Sequence, residues 1–179
     1  KRSFQQPTWL GEQSLLDKTI LVYGEQGLGD FIQFCRYVKL VADLGARVIL
    51  ETPESLASLM KNLEGISQLI IKGIEEMPHF DYQCPLLSLP LAFNTEISSI
   101  PAKIPYLTAH QDKIVKWSLR LGEKRKKRVG LAWSSVSNFK DDSKRSLMLI
   151  DFVKALSNNY NFEYICLQKE LKDCDKIFF

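Results

Sequence analysis

The stretch from Thr19 to Val38 constrains the fold of this chain more than any other part of its sequence. Residues 19–23 are apolar and β-branched, which predicts a buried strand. Glycines follow at 24, 27 and 29, and residues 31–38 then show helical periodicity. A strand, a glycine turn and a helix in that order place backbone N–H groups and a helix N-terminus at one edge of a parallel sheet. Such edges are where α/β proteins bind anionic or polar ligands.

The pattern after this turn alternates between strands and helices. Further strands are predicted at 47–51 and 68–71, with a helix from about 52 to 62 between them. This alternation predicts a doubly wound parallel sheet with right-handed crossovers. Prolines recur from 78 to 105, so that region is expected to hold a short strand, turns and at most brief helix. Residues 113–121 then form a predicted amphipathic helix.

A basic run at 124–128 marks the predicted boundary between two domains, 1–123 and 124–179. The run follows Gly122 and precedes a new apolar strand at 129–133. Three interpretations are open for it: a solvated linker, a nucleic-acid patch, or a surface that attracts an anionic substrate. No aromatic residue interrupts the charges, which argues against a base-stacking surface, and we expect no nucleic-acid partner.

The second domain is predicted to be incomplete. It holds the strand at 129–133, a polar loop at 134–146, a helix at about 149–156 and a strand at 164–167. Two strands and one helix cannot close a doubly wound domain. We therefore expect the first part of a second Rossmann-like unit that is cut short, and expect this chain to be inactive by itself.

The composition is that of an ordinary globular protein, with 45% apolar residues, 25% charged residues and a net charge of +3. The longest apolar runs are far shorter than a membrane span, and no signal peptide opens the chain. The four cysteines form no C-x-x-C pair and have no companion histidine cluster. These features predict a cytoplasmic protein with reduced thiols and no membrane span.

Several blocks of the chain, in order, match one family. The run GEQGLGDFIQFCRY at 24–37 resembles the start of the glycosyltransferase-like domain found after tetratricopeptide repeats in many bacterial proteins. That domain is related to the lipopolysaccharide heptosyltransferases, two-domain enzymes of the GT-B type. Four more blocks extend the resemblance over most of the chain: 4–11, 80–93, 104–107, and 129–134 with 144–147.

The resemblance implies a GT-B-like fold, an acceptor-side domain followed by the start of a donor-side domain. It also implies transfer of a hexosyl or heptosyl group from a nucleotide-sugar to a hydroxyl of a glycan or protein acceptor. Tetratricopeptide repeats are then expected in the parent protein. A non-catalytic binding or interaction module, left beside such repeats by truncation, is the alternative function.

Asp30 is the candidate catalytic base. Its carboxylate is predicted at a helix start, where it is either the N-cap of that helix or a catalytic group. In the heptosyltransferases an aspartate after a glycine at this turn acts as the base, and Gly29-Asp30 matches that pattern. Glu25 is a weaker substitute. The predicted substrate-binding residues are those of the same turn and helix: Gly27, Leu28, Gly29 and Gln33.

Hydroxyl and basic side chains at the head of the second domain are predicted to bind the donor phosphates. They are Ser134 and Ser135, directly after its first strand, and Lys144 and Arg145, after the polar loop. Hydroxyls and cations suit phosphate oxygens. Arg145 best matches the basic residue that contacts the donor phosphate in the related enzymes, and Lys144 is second. The alternative is that both are surface charges on a polar loop, which is the more common fate of a single lysine.

No metal site and no cofactor are predicted, since the nucleotide-sugar is a substrate. Asp173-Cys174-Asp175 spells a D-x-D sequence, but it lies in a different position from the motif of metal-dependent glycosyltransferases. The pair at 141–142 has no neighbouring histidine, and His79 and His110 are isolated. A GT-B site uses helix dipoles and basic side chains where other enzymes use a metal.

Overall fold

A computed structural model describes residues 3–25, 27–134, 146–156 and 161–178. The chain divides into two compact units, Lys1–Ile114 and Val115–Phe179. The division falls inside a helix that precedes the basic run, and the boundary predicted at 123/124 stays a prediction. Among the described residues no helix combines the length and the apolar character that crossing a membrane requires.

The first unit is built on four parallel strands, which confirms the α/β prediction. The strands, in chain order, are β1 (Thr19–Tyr23), β2 (Arg47–Thr52), β3 (Gln68–Ile71) and β4 (Tyr82–Pro85). Their spatial order is β3-β2-β1-β4. The two central strands, β1 and β2, are almost completely buried because apolar side chains cover both of their faces.

The helical connections of the sheet pack on one face. From β1 to β2 the chain passes through α1 (Leu28–Phe34), a 3₁₀ turn (Cys35–Tyr37) and α2 (Val38–Asp43), and from β2 to β3 through α3 (Glu54–Met60). Their buried side chains join those of alternate strand residues in the main core: Ile20, Val22, Phe31, Cys35, Val38, Val41, Val48, Leu50, Leu56, Met60 and Cys84.

The connection from β3 to β4 covers the opposite face. It runs back past β2 and β1, so a right-handed crossover must pass over the side that the helices leave free. Residues 72–81 make this crossover without a helix, and Met77 and Phe80 pack there against Leu21 and Tyr23. The connections therefore run over both faces of the sheet. In the described part of this unit, however, helices pack against one face alone, so the predicted doubly wound arrangement is found only in part.

The segment before β1 protects the outer edge of β4. The Trp9 backbone N–H donates to the Gln83 carbonyl at 2.9 Å, and the Gln83 N–H donates to the Pro7 carbonyl at 3.1 Å. The Trp9 side chain is buried and packs edge-on against Phe93, with ring centroids 5.5 Å apart. This pairing leaves β4 without an open edge along these residues.

The proline-containing region after β4 holds only brief helices, as predicted. They are a 3₁₀ turn (Leu86–Ser88), α4 (Leu89–Ala92) and a second 3₁₀ turn (Ile97–Ser99). A longer helix, α5 (Gln111–Leu121), then spans the division between the units and contains no buried residue.

The second unit contains a parallel pair of strands joined by a helix: β5 (Lys127–Leu131), α6 (Leu149–Leu156) and β6 (Phe162–Cys166). A 3₁₀ helix follows at Asp173–Phe178. The helix has the predicted bounds, but the predicted starts of both strands are wrong by two residues. The basic run pairs with β6 from Lys127 onward, because Arg128 and Glu163 face each other and form a 2.7 Å ion pair.

Candidate functional site

The first glycine of the turn, Gly24, is required because an aromatic ring occupies the space beside it. A Cβ added to Gly24 would lie 2.5 Å from Cδ2 of Phe31, whose side chain is buried in the main core. A positive φ does not explain these glycines, since Gly24, Gly27 and Gly29 are all outside the left-handed region. Gly24 is needed for close packing, whereas a Cβ at Gly29 would point into open space.

Helix α1 begins earlier than the sequence suggested, and this excludes one interpretation of Asp30. Its first residue is Leu28 and its N-cap is Gly27, with φ −64° and ψ 163° and no side-chain cap bond. Asp30 lies in the first turn of the helix, so the N-cap interpretation is wrong. Its carboxylate still lies where the helix dipole favours a negative charge.

The Asp30 side chain is half-buried and has no hydrogen bond or ion pair with any described residue. Its Oδ2 faces Gly27, at 3.5 Å from where a Cβ would stand. Glu25, the weaker candidate, is exposed in the turn. A carboxylate placed this way is accessible to a ligand hydroxyl without first breaking a bond to the protein.

The turn follows the carboxyl end of β1. Tyr23 and Pro85, the last residues of β1 and β4, are paired, and the segments that follow these two strands pack on the same face, in the main core. In open α/β sheets ligands bind outside the carboxyl ends of the strands. The predicted site residues therefore lie at the end of the sheet where such ligands bind.

A groove of about 610 Å³ runs beside α1, and we call it the α1 groove. One wall comes from α1 and the 3₁₀ turn after it: Gly29, Ile32, Gln33, Phe34, Arg36 and Tyr37. The other wall comes from the region after β4: Pro90, Thr95, Glu96, Ile97, Ile100 and Tyr106. Its size lies within the ~300–1,000 Å³ of typical ligand sites. Two predicted substrate-binding residues, Gly29 and Gln33, line this groove, whereas Gly27 and Leu28 do not.

Two side chains hold the second wall against the first. Nη1 of Arg36 donates to the Pro101 carbonyl at 3.0 Å, and its guanidinium lies 4.4 Å from the centre of the Tyr106 ring. The Tyr106 hydroxyl donates to the Ile32 carbonyl at 3.2 Å. Sequence reasoning missed both residues, because their contacts join segments about 70 positions apart.

A buried polar chain supports the sheet end beneath the turn. The Tyr23 hydroxyl donates to Oε1 of Gln83 at 3.0 Å, and Nε2 of Gln83 donates to the hydroxyl of Thr8. Gln83 is only 8% exposed. A glutamine within a strand of an otherwise apolar sheet signals such a network, because a buried amide needs partners. The network positions the backbone near the site and does not itself reach the α1 groove.

In the second unit, Ser134 is the one predicted donor-binding residue that the structure describes. The side chain of Gln168 holds its backbone: Oε1 accepts from the Ser134 N–H at 3.3 Å, and Nε2 donates to its carbonyl at 2.8 Å. The Ser134 hydroxyl oxygen is buried and has no partner among the described residues. Ser135, Lys144 and Arg145 lie outside the described residues, as does the pair at 141–142.

The other charged motifs of this unit have structural partners. Nη2 of Arg128 donates to the carbonyls of Leu121, Gly122 and Glu123 at 2.6–3.1 Å, so the end of the basic run caps helix α5. Asp175 is buried and accepts from the indole of Trp133 at 2.8 Å. Asp173 instead pairs with Lys176.

No described residues form a group of three or more His, Cys, Asp or Glu side chains able to hold a metal ion. His110, one of the isolated histidines, contacts the Ser58 carbonyl through Nε2 at 3.0 Å. Comparisons with protein-family models, curated proteins and solved structures found no match to this chain.

Proposed function

We propose that this chain is a GT-B glycosyltransferase-like protein that moves a sugar from a nucleotide-sugar donor to an acceptor hydroxyl, in the cytoplasm. The observation that carries the proposal is the position of Asp30. Its carboxylate is half-buried, has no described partner and lies in the first turn of α1, which follows the carboxyl end of β1. The sequence resemblance to the heptosyltransferases gives the same residue the role of base.

In the proposed reaction, the Asp30 carboxylate removes the proton of the acceptor hydroxyl as that oxygen attacks the anomeric carbon of the donor sugar. The bond from the anomeric carbon to the diphosphate oxygen breaks, and the nucleoside diphosphate leaves with the electron pair. A new glycosidic bond forms with inversion at the anomeric carbon. Asp30 acts here as a general base, a role that typically contributes about 10²–10⁴-fold to the rate.

The donor side of the proposal rests on Ser134, Ser135, Lys144 and Arg145. One observation favours the second candidate, a non-catalytic binding module: the hydroxyl of Ser134 is buried and its backbone is held by Gln168. A buried hydroxyl contacts a donor phosphate only after it turns outward. Donor binding therefore separates the two candidates.

A nucleotide-sugar screen tests the proposal, with calorimetric titration of each hit at low and high salt. We expect weak binding of a nucleoside diphosphate group that weakens further with added salt and with Arg145→Ala, because a charge-assisted contact is lost. Lys124→Ala, in the exposed part of the basic run, is the matched control and leaves binding unchanged. Absence of binding across the panel would favour the binding module. Tight, salt-insensitive binding that survives Arg145→Ala would move the phosphate site elsewhere, to the turn at 24–30.

A further inference from the structure

The charges of the residues that line the α1 groove indicate which class of acceptor it can bind. Of its lining residues, Arg36 and Glu96 carry charge. The Arg36 guanidinium faces its own chain, since it donates to the carbonyls of Gln33 and Pro101 and stacks on Tyr106. The Glu96 side chain accepts a hydrogen bond from the Ser99 backbone N–H, but it is exposed and forms no ion pair with a described residue, so its charge is not neutralised. Asp30 is not itself a lining residue, but it directly follows Gly29, which is. The carboxylates of Glu96 and Asp30 have no ion-pair partner among the described residues, so the charge offered to a ligand is negative, which disfavours phosphorylated acceptors and favours neutral or basic ones.

The outer wall of the groove is apolar and open to water. Ile97 is 92% exposed and Ile100 is 47% exposed, although both are large hydrophobic side chains. They lie on and just after the 3₁₀ turn Ile97–Ser99, which the bond from the Glu96 N–H to the Ser99 hydroxyl holds at 2.9 Å. A sugar, with its ring of hydroxyls, gains little from covering two isoleucines, whereas an apolar side chain of a polypeptide gains by burying them.

We propose that the α1 groove binds a short, neutral or basic stretch of polypeptide, so that the acceptor is a serine or threonine hydroxyl of a protein. This inference rests on the function proposed above and names the acceptor class for the same site. An apolar side chain of the peptide covers Ile97 and Ile100, and a basic side chain pairs with Glu96. The peptide hydroxyl then gives its proton to Asp30, its oxygen bonds to the anomeric carbon, and the nucleoside diphosphate leaves.

Fluorescence anisotropy with a labelled probe tests this inference directly. The probe is the amidated peptide Gly-Ile-Ser-Arg-Ile-Gly, and a second probe has Glu in place of Arg. We expect the first probe to bind and the second to bind at least several-fold more weakly, because Glu96 repels it. Ile97→Ser should weaken binding of the first probe about 10-fold, the effect of removing one large apolar contact.

Matched variants control for folding and for non-specific surface effects. Ile74→Ser removes an isoleucine that is 63% exposed and outside the groove, and should leave the affinity unchanged. Glu96→Gln should weaken binding of the first probe, which contains Arg, by about 3-fold, an effect within the range of an exposed ion pair. The same variant should not change binding of a third probe that has Gln in place of Arg. Glu76→Gln, an exposed glutamate outside the groove, should have no effect.

The outcomes separate this inference from the proposed function. Two outcomes would refute the inference that the acceptor is a peptide and leave the proposed glycosyltransferase activity standing. One is an equal loss of peptide affinity in Ile97→Ser and Ile74→Ser. The other is absence of peptide binding while a neutral oligosaccharide accepts the sugar. Binding that follows Ile97 and Glu96 as predicted, with no nucleotide-sugar consumed by the longest form of the protein that can be expressed, supports the peptide groove and counts against the glycosyltransferase.

Discussion

Replacing Gly24 by alanine should destabilise the first unit, because the new methyl group would meet the ring of Phe31. The added Cβ would lie 2.5 Å from Cδ2 and 2.8 Å from Cε2 of that ring, well inside the 3.5–4.0 Å optimum for two carbon atoms. Phe31 is only 2% exposed and is packed within the main core, so it cannot turn away without moving its neighbours. Overpacking of this kind costs about 1–3 kcal/mol.

Part of that cost is recovered, because alanine restricts the unfolded chain and Gly24 lies outside the left-handed region. The recovered share is about 0.4–1 kcal/mol, which leaves a net loss of about 1–2 kcal/mol. Urea unfolding followed by far-UV circular dichroism measures this net loss.

Gly29→Ala is the matched control. Its added Cβ, inside α1, would meet nothing within 4 Å, so the free energy of unfolding should rise by about 0.5–1 kcal/mol. Adding Phe31→Leu to Gly24→Ala should remove most of the clash. If the double variant loses as much free energy of unfolding as Gly24→Ala and Phe31→Leu lose together, the clash is not with Phe31.

Two further predictions concern Arg128 and the cysteines. Arg128→Ala should destabilise the second unit by about 1–3 kcal/mol in urea unfolding, since it removes the cap of α5 and the ion pair with Glu163; Arg125→Ala, at a side chain that is 83% exposed, should change stability by less than about 0.5 kcal/mol. Burial raises the pKa of Cys35 and of Cys84 to about 12. The thiols of the unfolded chain ionise at lower pH than those of the folded protein. The contribution of these two cysteines to the free energy of unfolding is therefore fully present below about pH 8.5 and is lost as the pH rises toward 12. A thiol reagent at pH 8 should label exposed Cys166 and Cys174 rapidly and the two buried cysteines only on unfolding; rapid labelling of all four would contradict this placement.

The sequence predicts the fold well where local pattern and burial agree. The bounds of β1, β3 and α6 match the predicted 19–23, 68–71 and 149–156, because each is an apolar segment bordered by clear breaks. The start of β5 was missed because its first two residues, Lys127 and Arg128, are charged, and the periodicity does not count them as strand. The start of β6 was missed because Phe162 and Glu163 become strand only through their pairing with these two residues.

The candidate site was predictable in position but not in detail. The glycine turn locates Asp30, yet whether glycine serves a positive φ or a close contact depends on where Phe31 packs. The second wall of the α1 groove depends on Arg36 contacting Pro101 and Tyr106. Contacts between such distant segments are a product of the tertiary fold, and no local pattern encodes them.

Sugar transfer by Asp30→Asn tests whether this residue is the catalytic base. The assay follows release of nucleoside diphosphate from the donor found in the screen, with this chain and with the longest form of the protein that can be expressed. Glu54→Gln is the matched control, because it removes a first-turn carboxylate from α3, which has seven residues, as α1 has. If Asp30 is the base, Asp30→Asn lowers turnover by about 10²–10⁴-fold. Both variants should lose no more than about 1 kcal/mol of stability, the usual share of a first-turn carboxylate. Turnover by Asp30→Asn equal to that of Glu54→Gln would contradict the assignment of Asp30 as the base.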